Sequence, residues 1–384
     1  MLNLDPRTII VLAGVMGALM AVVLFFLRRN YPPSIKGLAE WTAAPIIIFV
    51  STLLIGARGV IPDFLSVVAA NLILLAGQVL FYFGSQRFLG VSPSFRFWGA
   101  LIVVAAPVLV WYTHVEPSYA MRLLLIALLL ILLSTSHAWL LLRKGIRSFA
   151  TYLTAAALLL QTVVQALRFI SAIGMPADNA LFILSPAQTF YVATYTFSML
   201  MVTIGAVLMA TEKLRAELEH LATHDSLTGA LNRRALMEAC ATELARCRRN
   251  QQVMSLLLID LDHFKAINDN HGHLTGDRVL VDFVARIIPL LRQPDRVGRF
   301  GGEEFVVLLP ETSLDQARVV AERIRAAVES GAAALPACTA SIGVTVSLSD
   351  DANLDGILAR ADAALYQAKE RGRNRVEVIA LPAP

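Results

Sequence analysis

Four carboxylates in two tight groups mark the second half of this 384-residue chain. Asp260 and Asp262 close an apolar run in Ile-Asp-Leu-Asp-His-Phe-Lys, and Glu303 and Glu304 follow two glycines, Gly301 and Gly302. Carboxylates at a strand end and at a neighbouring hairpin tip can converge on one point. Hard oxygen ligands there suit Mg2+, which takes one or two carboxylates and fills the rest of its shell with water and phosphate oxygens. The paired glycines permit positive φ and let a bulky ligand approach the backbone. Cations complete the pattern: Lys265 follows the first acidic pair, and Lys369 and Arg373 lie four apart around Gly372. A metal with scattered cations is the equipment of phosphoryl or nucleotidyl transfer, where catalysis is mostly positioning and charge neutralisation. The sequence holds no G-x-x-x-x-G-K-[ST] pattern, so phosphates are not gripped as in a P-loop. The bland alternative is a set of solvated charges on turns.

The elements that must position these groups alternate in type. A helix over 232–250 precedes the strand Met254–Asp260, an almost unbroken apolar run that suits a buried central strand. A helix over 275–292 follows. Val297–Phe300 and Glu304–Leu309 then form a hairpin around the Gly301-Gly302 turn. A helix over 313–329, the strand Thr339–Ser347, a helix over 354–371 and the strand Arg375–Ile379 complete the set. This order predicts an α+β layer with helices against one mixed sheet.

The first part of the chain is of another kind. Residues 1–210 carry 12 Lys/Arg and 5 Asp/Glu, whereas residues 211–384 carry the other 21 and 24. The net charges are +7 and −3, so the polar part is no basic nucleic-acid binder and no nucleic acid is expected as partner. Seven stretches reach the roughly 20 apolar residues that a bilayer demands: 8–27, 41–57, 64–84, 97–113, 120–142, 149–171 and 188–210. The first lacks an Ala-x-Ala-like cleavage site and ends in Arg28-Arg29, so it reads as a retained span. With seven spans, Arg28, Arg29, Lys36, Arg87, Arg96, Arg143, Lys144 and Arg147 fall on the side of the polar part, against Arg7, Arg58, Arg122 and Arg168 opposite. The bias makes the polar part cytoplasmic and puts the N-terminus outside. Cys240, Cys247 and Cys338 are an odd set without close pairing, which suits a reducing compartment.

Polar residues interrupt the spans. Asn71 and Gln78 share one helix face, as do Gln161, Gln165 and Arg168. They make either a ligand pocket or polar switch, or interhelical hydrogen bonds that hold a bundle. His137 is either a metal or haem ligand or a packed polar group. His114 and Glu116 fall at the outer end. The last span runs on without a Pro/Gly linker. Val207, Thr211, Leu214, Leu218 and Leu221 follow 4-3-4-3 spacing, the seam of a short parallel coiled coil over 205–223, or one amphipathic helix lying on its own domain.

Six spaced motifs then carry a family resemblance over about 217–380. Gly301-Gly302-Glu303-Glu304-Phe305 resembles the signature of the GGDEF diguanylate cyclases in its GGEEF form. His-Asp225-Ser-Leu-Thr-Gly-Ala-Leu-Asn232-Arg233 resembles the family's opening motif, and Ile-Asp260-Leu-Asp-His-Phe264-Lys265-Ala-Ile-Asn268-Asp its first metal motif. Gly272-His-Leu-Thr-Gly276-Asp277, Thr339-Ala-Ser-Ile-Gly343-Val and Ala361-Asp through Arg373-Asn374 follow in the family's order. Ala230, Phe300 and His271 depart from its usual residues without removing a ligand.

The apolar stretches predict a membrane all-α bundle of seven transmembrane helices over 1–210, for which a sensory role is expected, and the resemblance, which does not cover that part, implies a ferredoxin-like nucleotidyl-cyclase-type domain over 224–384. It implies a homodimer in the bacterial inner membrane that condenses two GTP into cyclic di-GMP and two pyrophosphates, under an unknown signal ligand. Carried over by position, Asp260, the Leu261 carbonyl, Glu303 and Glu304 hold Mg2+, or Mn2+ in its place. Glu303 and Glu304 are catalytic with Asp260, their roles undivided. Asn268 and Asp277 read guanine; Lys265, Lys369, Arg373 and the Phe264 backbone meet the phosphates; Gly301 and Gly302 give the nucleotide room. Arg292-Gln-Pro-Asp295 stands five residues before the signature, where the family places an inhibitory product site for cyclic di-GMP, and Arg323 supports it. The competing reading is a non-catalytic receptor of GTP or cyclic di-GMP that signals by contact.

Overall fold

The computed structural model describes residues 6–173, 186–331 and 335–379. The link 174–185, the tail 380–384 and the side chain of Arg7 lie outside that description. The chain divides into two units, Met1–Ala216 and Glu217–Pro384.

The first unit is helical. Its elements are α1 (Pro6–Asn30), α2 (Leu38–Gly56), α3 (Phe64–Phe88), α4 (Phe95–Val115), α5 (Tyr119–Lys144), α6 (Phe149–Ala172) and the start of α7 (Pro186–Thr223). All seven are long and apolar enough to cross a membrane. Side-chain oxygens of Ser118 and Ser148 cap α5 and α6, satisfying amides that a helix start leaves open. Most polar residues of the spans bond within the bundle. Ser134 and Thr162 join α5 to α6 at 2.7 Å, and Gln78 on α3 donates to Tyr195 on α7. His137 is buried against Ser85 at 2.7 Å, and Ser85 also accepts from the Trp41 indole at 3.2 Å. His137 is therefore the packed polar group of the two readings.

The first half of the seam also makes contacts within its own unit. Val207 and Leu214 pack against the unit's own apolar cluster, and Thr211 pairs with Tyr31 at 3.1 Å. Leu218 at 56% and Leu221 at 68% are widely exposed, Thr211 is exposed as well, and Val207 and Leu214 are partly buried.

The second unit holds α8 (Arg233–Asn250), β1 (Met254–Leu261), α9 (Phe264–His271), α10 (His273–Ile287), β2 (Arg296–Gly301), β3 (Glu304–Pro310), α11 (Leu314–Glu329), β4 (Ala340–Val346), α12 (Leu354–Glu370) and β5 (Val376–Val378). The sheet order is β2-β3-β1-β4-β5, antiparallel throughout except for β4 with β5. The run β1-α10-β2-β3-α11-β4 is the split βαβ order of ferredoxin-like sheets. β1 is apolar on both sides because both faces are covered. Leu257, Ile259 and Leu261 meet α10 and α11, whereas Met254, Leu256 and Leu258 meet α8 and α12. Gly343 on β4 is required by that second layer: a Cβ there would stand 2.2 Å from the Ala361 carbonyl and 2.4 Å from the Leu365 nitrogen.

Two boundaries differ from expectation. The helix predicted to 292 ends as α10 at Ile287 and tightens into one 3-10 turn. Pro289 lacks the amide that a continuing α-helix needs. The short α9 has too few residues to show a period and was absent from the reading.

Candidate active site

Alternation along β1 sets the direction of the first carboxylate. Asp260 continues the Leu256, Leu258 side, so it points toward the layer of α8 and α12. Glu304 on β3 is directly opposite it in the antiparallel register. Like charges facing each other across two strands repel, so this pairing needs a cation. Here Lys369, at the end of α12, places Nζ 2.8 Å from Asp260 Oδ2. Glu303 stands in the turn, with its carbonyl accepting from the Leu261 amide at 3.4 Å. The structure thus brings Asp260, Leu261, Glu303, Glu304 and Lys369 to one corner of the sheet.

Asp262 does not join them. It lies just past β1, 4% exposed, with every carboxylate oxygen engaged. Oδ1 accepts from the Ser341 hydroxyl at 2.7 Å; Oδ2 accepts from the Thr339 hydroxyl at 2.7 Å and the Asn374 amide at 3.0 Å. The expected convergence of both aspartates is corrected: Asp260 faces the site and Asp262 is a clamp. What it clamps matters, because Arg373 and Asn374 both have left-handed backbones, φ 61° and 44°. The Asn374 side chain is gripped from the other side, donating to Glu329 at 2.8 Å and accepting from Arg325 at 2.9 Å. The loop that carries Arg373 away from Lys369 is therefore fixed by its neighbour, while the Arg373 side chain stays exposed.

The glycine turn also departs from expectation. Neither Gly301 nor Gly302 has positive φ. The turn is open at Gly302, whose Cβ position has nothing within 4 Å. The turn is steadied by Arg299, whose Nε donates to the Gly302 carbonyl at 2.9 Å and whose Nη1 pairs with Asp225 at 3.2 Å. Burial pushes the Asp225 carboxyl upward, but the Thr228 hydroxyl and amide, with Arg299, outweigh this and hold it below the usual carboxylate range. Leu231 pairs with β2 on the same stretch, its amide on the Val297 carbonyl at 3.0 Å. Phe300 lies under the guanidinium of Arg233, 4.3 Å from its ring centroid. Sequence reading missed Arg299; its signal was a charge inside an otherwise covered strand.

Asn268 and Asp277 are brought together by close packing of α9 on α10. A Cβ on Gly276 would stand 1.9 Å from Asn268 Oδ1, so glycine there lets the asparagine pack against the residue preceding Asp277. Phe264 is buried in the core below, and Lys265 is exposed on the first turn of α9. Cys338 lies nearby with its thiol pushed up to about 12 by burial, then by the charges of Asp262 and Asp260.

Arg292, Asp295 and Arg323 form a separate group. Asp295 is 9% exposed and caps its own turn, accepting from the Arg292 amide at 2.8 Å. Arg323 donates to the Leu290 carbonyl, next to that turn. These residues precede β2, whereas the glycines end it, so a six-residue strand of roughly 20 Å separates the groups.

Among the described residues no three His, Cys, Asp or Glu side chains stand close enough to cage a metal. That donor set is wrong for a closed zinc site. It fits Mg2+, which accepts one or two carboxylates and completes its shell from phosphates and water.

Comparison with known proteins agrees with this geometry. The diguanylate cyclase GGDEF-domain profile matches residues 222–375. The diguanylate cyclase DgcP of Pseudomonas aeruginosa is 46% identical over 162 residues, covering 40% of this chain and 23% of that protein. DgcM of Escherichia coli is 41% identical over 200 residues, covering 50% of this chain and 48% of that protein. The GGDEF domain of DgcB from Caulobacter crescentus, solved with c-di-GMP, is 33% identical, covering 41% of this chain and 93% of that one, with a TM-score of 0.39. The chain spans about a quarter to a half of the two curated relatives. With its carboxylates, glycine turn and flanking motifs in the family's order, the segment 222–375 belongs to the GGDEF-domain family of diguanylate cyclases.

Proposed function

We propose that the chain is a membrane-bound diguanylate cyclase that condenses two GTP into cyclic di-GMP and two pyrophosphates. The observation that carries the reading is the facing pair Asp260 and Glu304, with Lys369 on Asp260, beside the open Gly302 turn. Two carboxylates set against each other cost stability unless a cation is to be held there.

Asp260, Glu303 and Glu304, with the Leu261 carbonyl, would hold Mg2+; Mn2+ has the same ligand preference. The ion would neutralise phosphate charge and lower the barrier to displacement. Lys369 is the amine assigned to the phosphates, and in the free protein it neutralises Asp260. Nucleotide binding therefore exchanges its partner. Lys265 and Arg373, both exposed, add charge toward the same phosphates. Asn268 and Asp277 read guanine: a carboxylate accepts from its N1–H and exocyclic amine, a donor pair that adenine does not offer.

In each of two displacements, the 3′-oxygen of one GTP attacks the α-phosphorus of the other. The P–O bond to pyrophosphate breaks, and the hydroxyl proton passes to a base, a role that Glu304 and Glu303 share undivided with metal binding. One domain holds one GTP, so the reaction needs two copies face to face, and proximity contributes several kcal/mol, on the order of 7 or more at best. Leu218 and Leu221, exposed at the end of α7, are free to meet a second copy. The seven apolar helices would anchor the protein in the inner membrane with the polar unit in the cytoplasm. A signal received there would act by changing how two domains are juxtaposed. Cyclic di-GMP bound at Arg292, Asp295 and Arg323 would hold them apart as feedback.

The test is product analysis by mass spectrometry. The full chain in lipid nanodiscs is incubated with GTP and Mg2+, beside Glu304→Ala. Cyclic di-GMP from the parent and none from the variant is the expected result. A folded parent that binds GTP and yields no product would overturn the enzyme reading in favour of a receptor.

A further inference from the structure

We propose that the helical unit contains a binding site for a short 2-hydroxy carboxylate, in the cavity lined by Arg58, Arg122 and Arg168. This inference does not depend on the cyclase chemistry.

The cavity measures about 150 Å3 and draws its walls from six of the seven helices. It is the meeting point of the two polar faces, with Asn71 from α3 and Gln165 and Arg168 from α6 all lining it. Arg58 follows α2, Arg122 is on the first turn of α5 and Arg168 lies near the end of α6, so three arginines line one small space at one end of the bundle. Arg122 uses one arm on the Tyr112 carbonyl at 3.0 Å. The charge of Asp63 also reaches Arg122, but Asp63 is not in the lining. The walls are therefore strongly positive.

Two lining atoms define the ligand further. Gln165 is 4% exposed, yet its Oε1 has no hydrogen-bond partner among the described residues. The same holds for Arg168 Nε, one turn away on the same face. Buried polar atoms without partners are rare, since each carries its full desolvation cost. Gln165 Oε1 calls for a donor, and Arg168 Nε calls for an acceptor. Water supplies both but carries no negative charge to set against the lining arginines. A carboxylate answers the charge and matches the guanidinium fork. A hydroxyl on the adjacent carbon supplies the donor. An ammonium in that position would add a further positive charge, so the hydroxy acid is preferred to the amino acid. Apolar walls including Leu74 and Leu130 receive a short alkyl group. A cavity of this volume accepts about six or seven non-hydrogen atoms, the size of a benzene ring or slightly more.

The test measures binding to the full chain in nanodiscs by titration calorimetry, with 2-hydroxybutanoate as probe. Butanoate lacks the donor, 2-aminobutanoate replaces it with a cation, and chloride lacks the organic body. The parent should bind 2-hydroxybutanoate about tenfold more tightly than butanoate, the value of one hydrogen bond. Gln165→Leu should remove that preference and leave butanoate binding unchanged. Arg168→Met should weaken both carboxylates at least about tenfold, with Arg168→Lys intermediate. Gln165→Leu also deletes an unpartnered buried oxygen, so its melting temperature without ligand should not fall below the parent's, which reports an intact bundle. The proposal is overturned if 2-hydroxybutanoate shows no saturable binding to the parent. It is equally overturned if Arg168→Met and Arg168→Lys bind as the parent does, or if butanoate, 2-aminobutanoate or chloride binds as tightly as the hydroxy acid.

Discussion

Asp262→Asn separates clamping from catalysis within one motif. Asp262 accepts three hydrogen bonds, from Ser341, Thr339 and Asn374, in a site that is 4% exposed. An amide keeps one acceptor oxygen and turns an NH2 toward at least one of those donors. Hydrogen bonds to a charged group are worth about 1.5–3 kcal/mol each. Losing one should loosen the 372–374 loop by that amount, which is about a 10- to 150-fold increase in local opening at 1.36 kcal/mol per decade. Hydrogen exchange read by mass spectrometry on a peptide covering 372–378 should accelerate by that factor, because the Asn374 amide itself is one of the donors. Turnover should respond through KM for GTP, which should rise about tenfold as Arg373 and Lys369 lose their fixed base, with kcat changed less. Asp260→Asn should show the opposite split, a collapse of kcat with unchanged exchange at 372–378. Exchange in Asp262→Asn within twofold of the parent would refute the clamp.

Gly276→Ala puts a methyl 1.9 Å from Asn268 Oδ1; the side chain can yield, so the fold should survive while KM for GTP rises about tenfold and discrimination against ATP falls. In contrast, Gly343→Ala meets backbone atoms of α12 that cannot yield, and urea unfolding should report a loss of about 3 kcal/mol or more. For the feedback site, Arg292→Ala is the clean test, because its side chain is exposed whereas Asp295 holds its own turn. Inhibition of turnover by added cyclic di-GMP should disappear in Arg292→Ala with unchanged initial rate. The acid limb of stability should belong partly to Asp351, whose carboxyl burial raises but Arg360, with bonds of 2.9 and 2.7 Å, and the Leu348 amide lower below its ordinary value. A depressed folded value means that the contribution is complete above the unfolded value near 3.8 and is lost as pH falls through and below it. Stability followed by circular dichroism should be level from about pH 7 to 5 and fall below about 4, and Asp351→Asn should flatten that fall. An unchanged acid limb in the variant would remove Asp351 from the account.

Much of the architecture was legible because it rests on local rules. The apolar run of β1 announced a strand covered on both faces, and the positions of α8, α11 and α12 followed from period and from caps at Asn232, Ser313 and Asn353. Proximity in sequence was a poor guide to partnership, however. Asp260 and Asp262 are two residues apart, which on a continuing strand would place them on one face. The strand ends at Leu261, so Asp262 is released to turn toward β4 and the 374 loop. No local pattern encodes that, because its three donors come from residues 77 to 112 positions away. The same reason hid Arg299, whose partners Asp225 and Gly302 lie on opposite sides of it in sequence. In the helical unit, one-helix periodicity identified each polar face but not that two of them share a cavity.

The charges of the chain sort by whether the fold has already answered them. Arg299, Arg325 and Arg360 are held by Asp225, Glu322 with Glu329, and Asp351. Arg299 and Arg325 brace loops beside the site, and Arg360 holds the turn after β4 at the other end of the sheet. Lys265, Arg292 and Arg373, which the cyclase reading assigns to nucleotide or product, are exposed instead. Lys369 stands between the two classes, paired with the one carboxylate that a metal would claim. A side chain already engaged in structure is lost to a ligand unless something takes its place, so this sorting is itself a functional map. The helical unit follows it as well. Arg87, on the positively biased side, is paired with Glu40, whereas Arg168 on the opposite side keeps a buried nitrogen without a partner among the described residues. A binding site is where the fold leaves a charge in position and unanswered, and among the described residues both units hold such places.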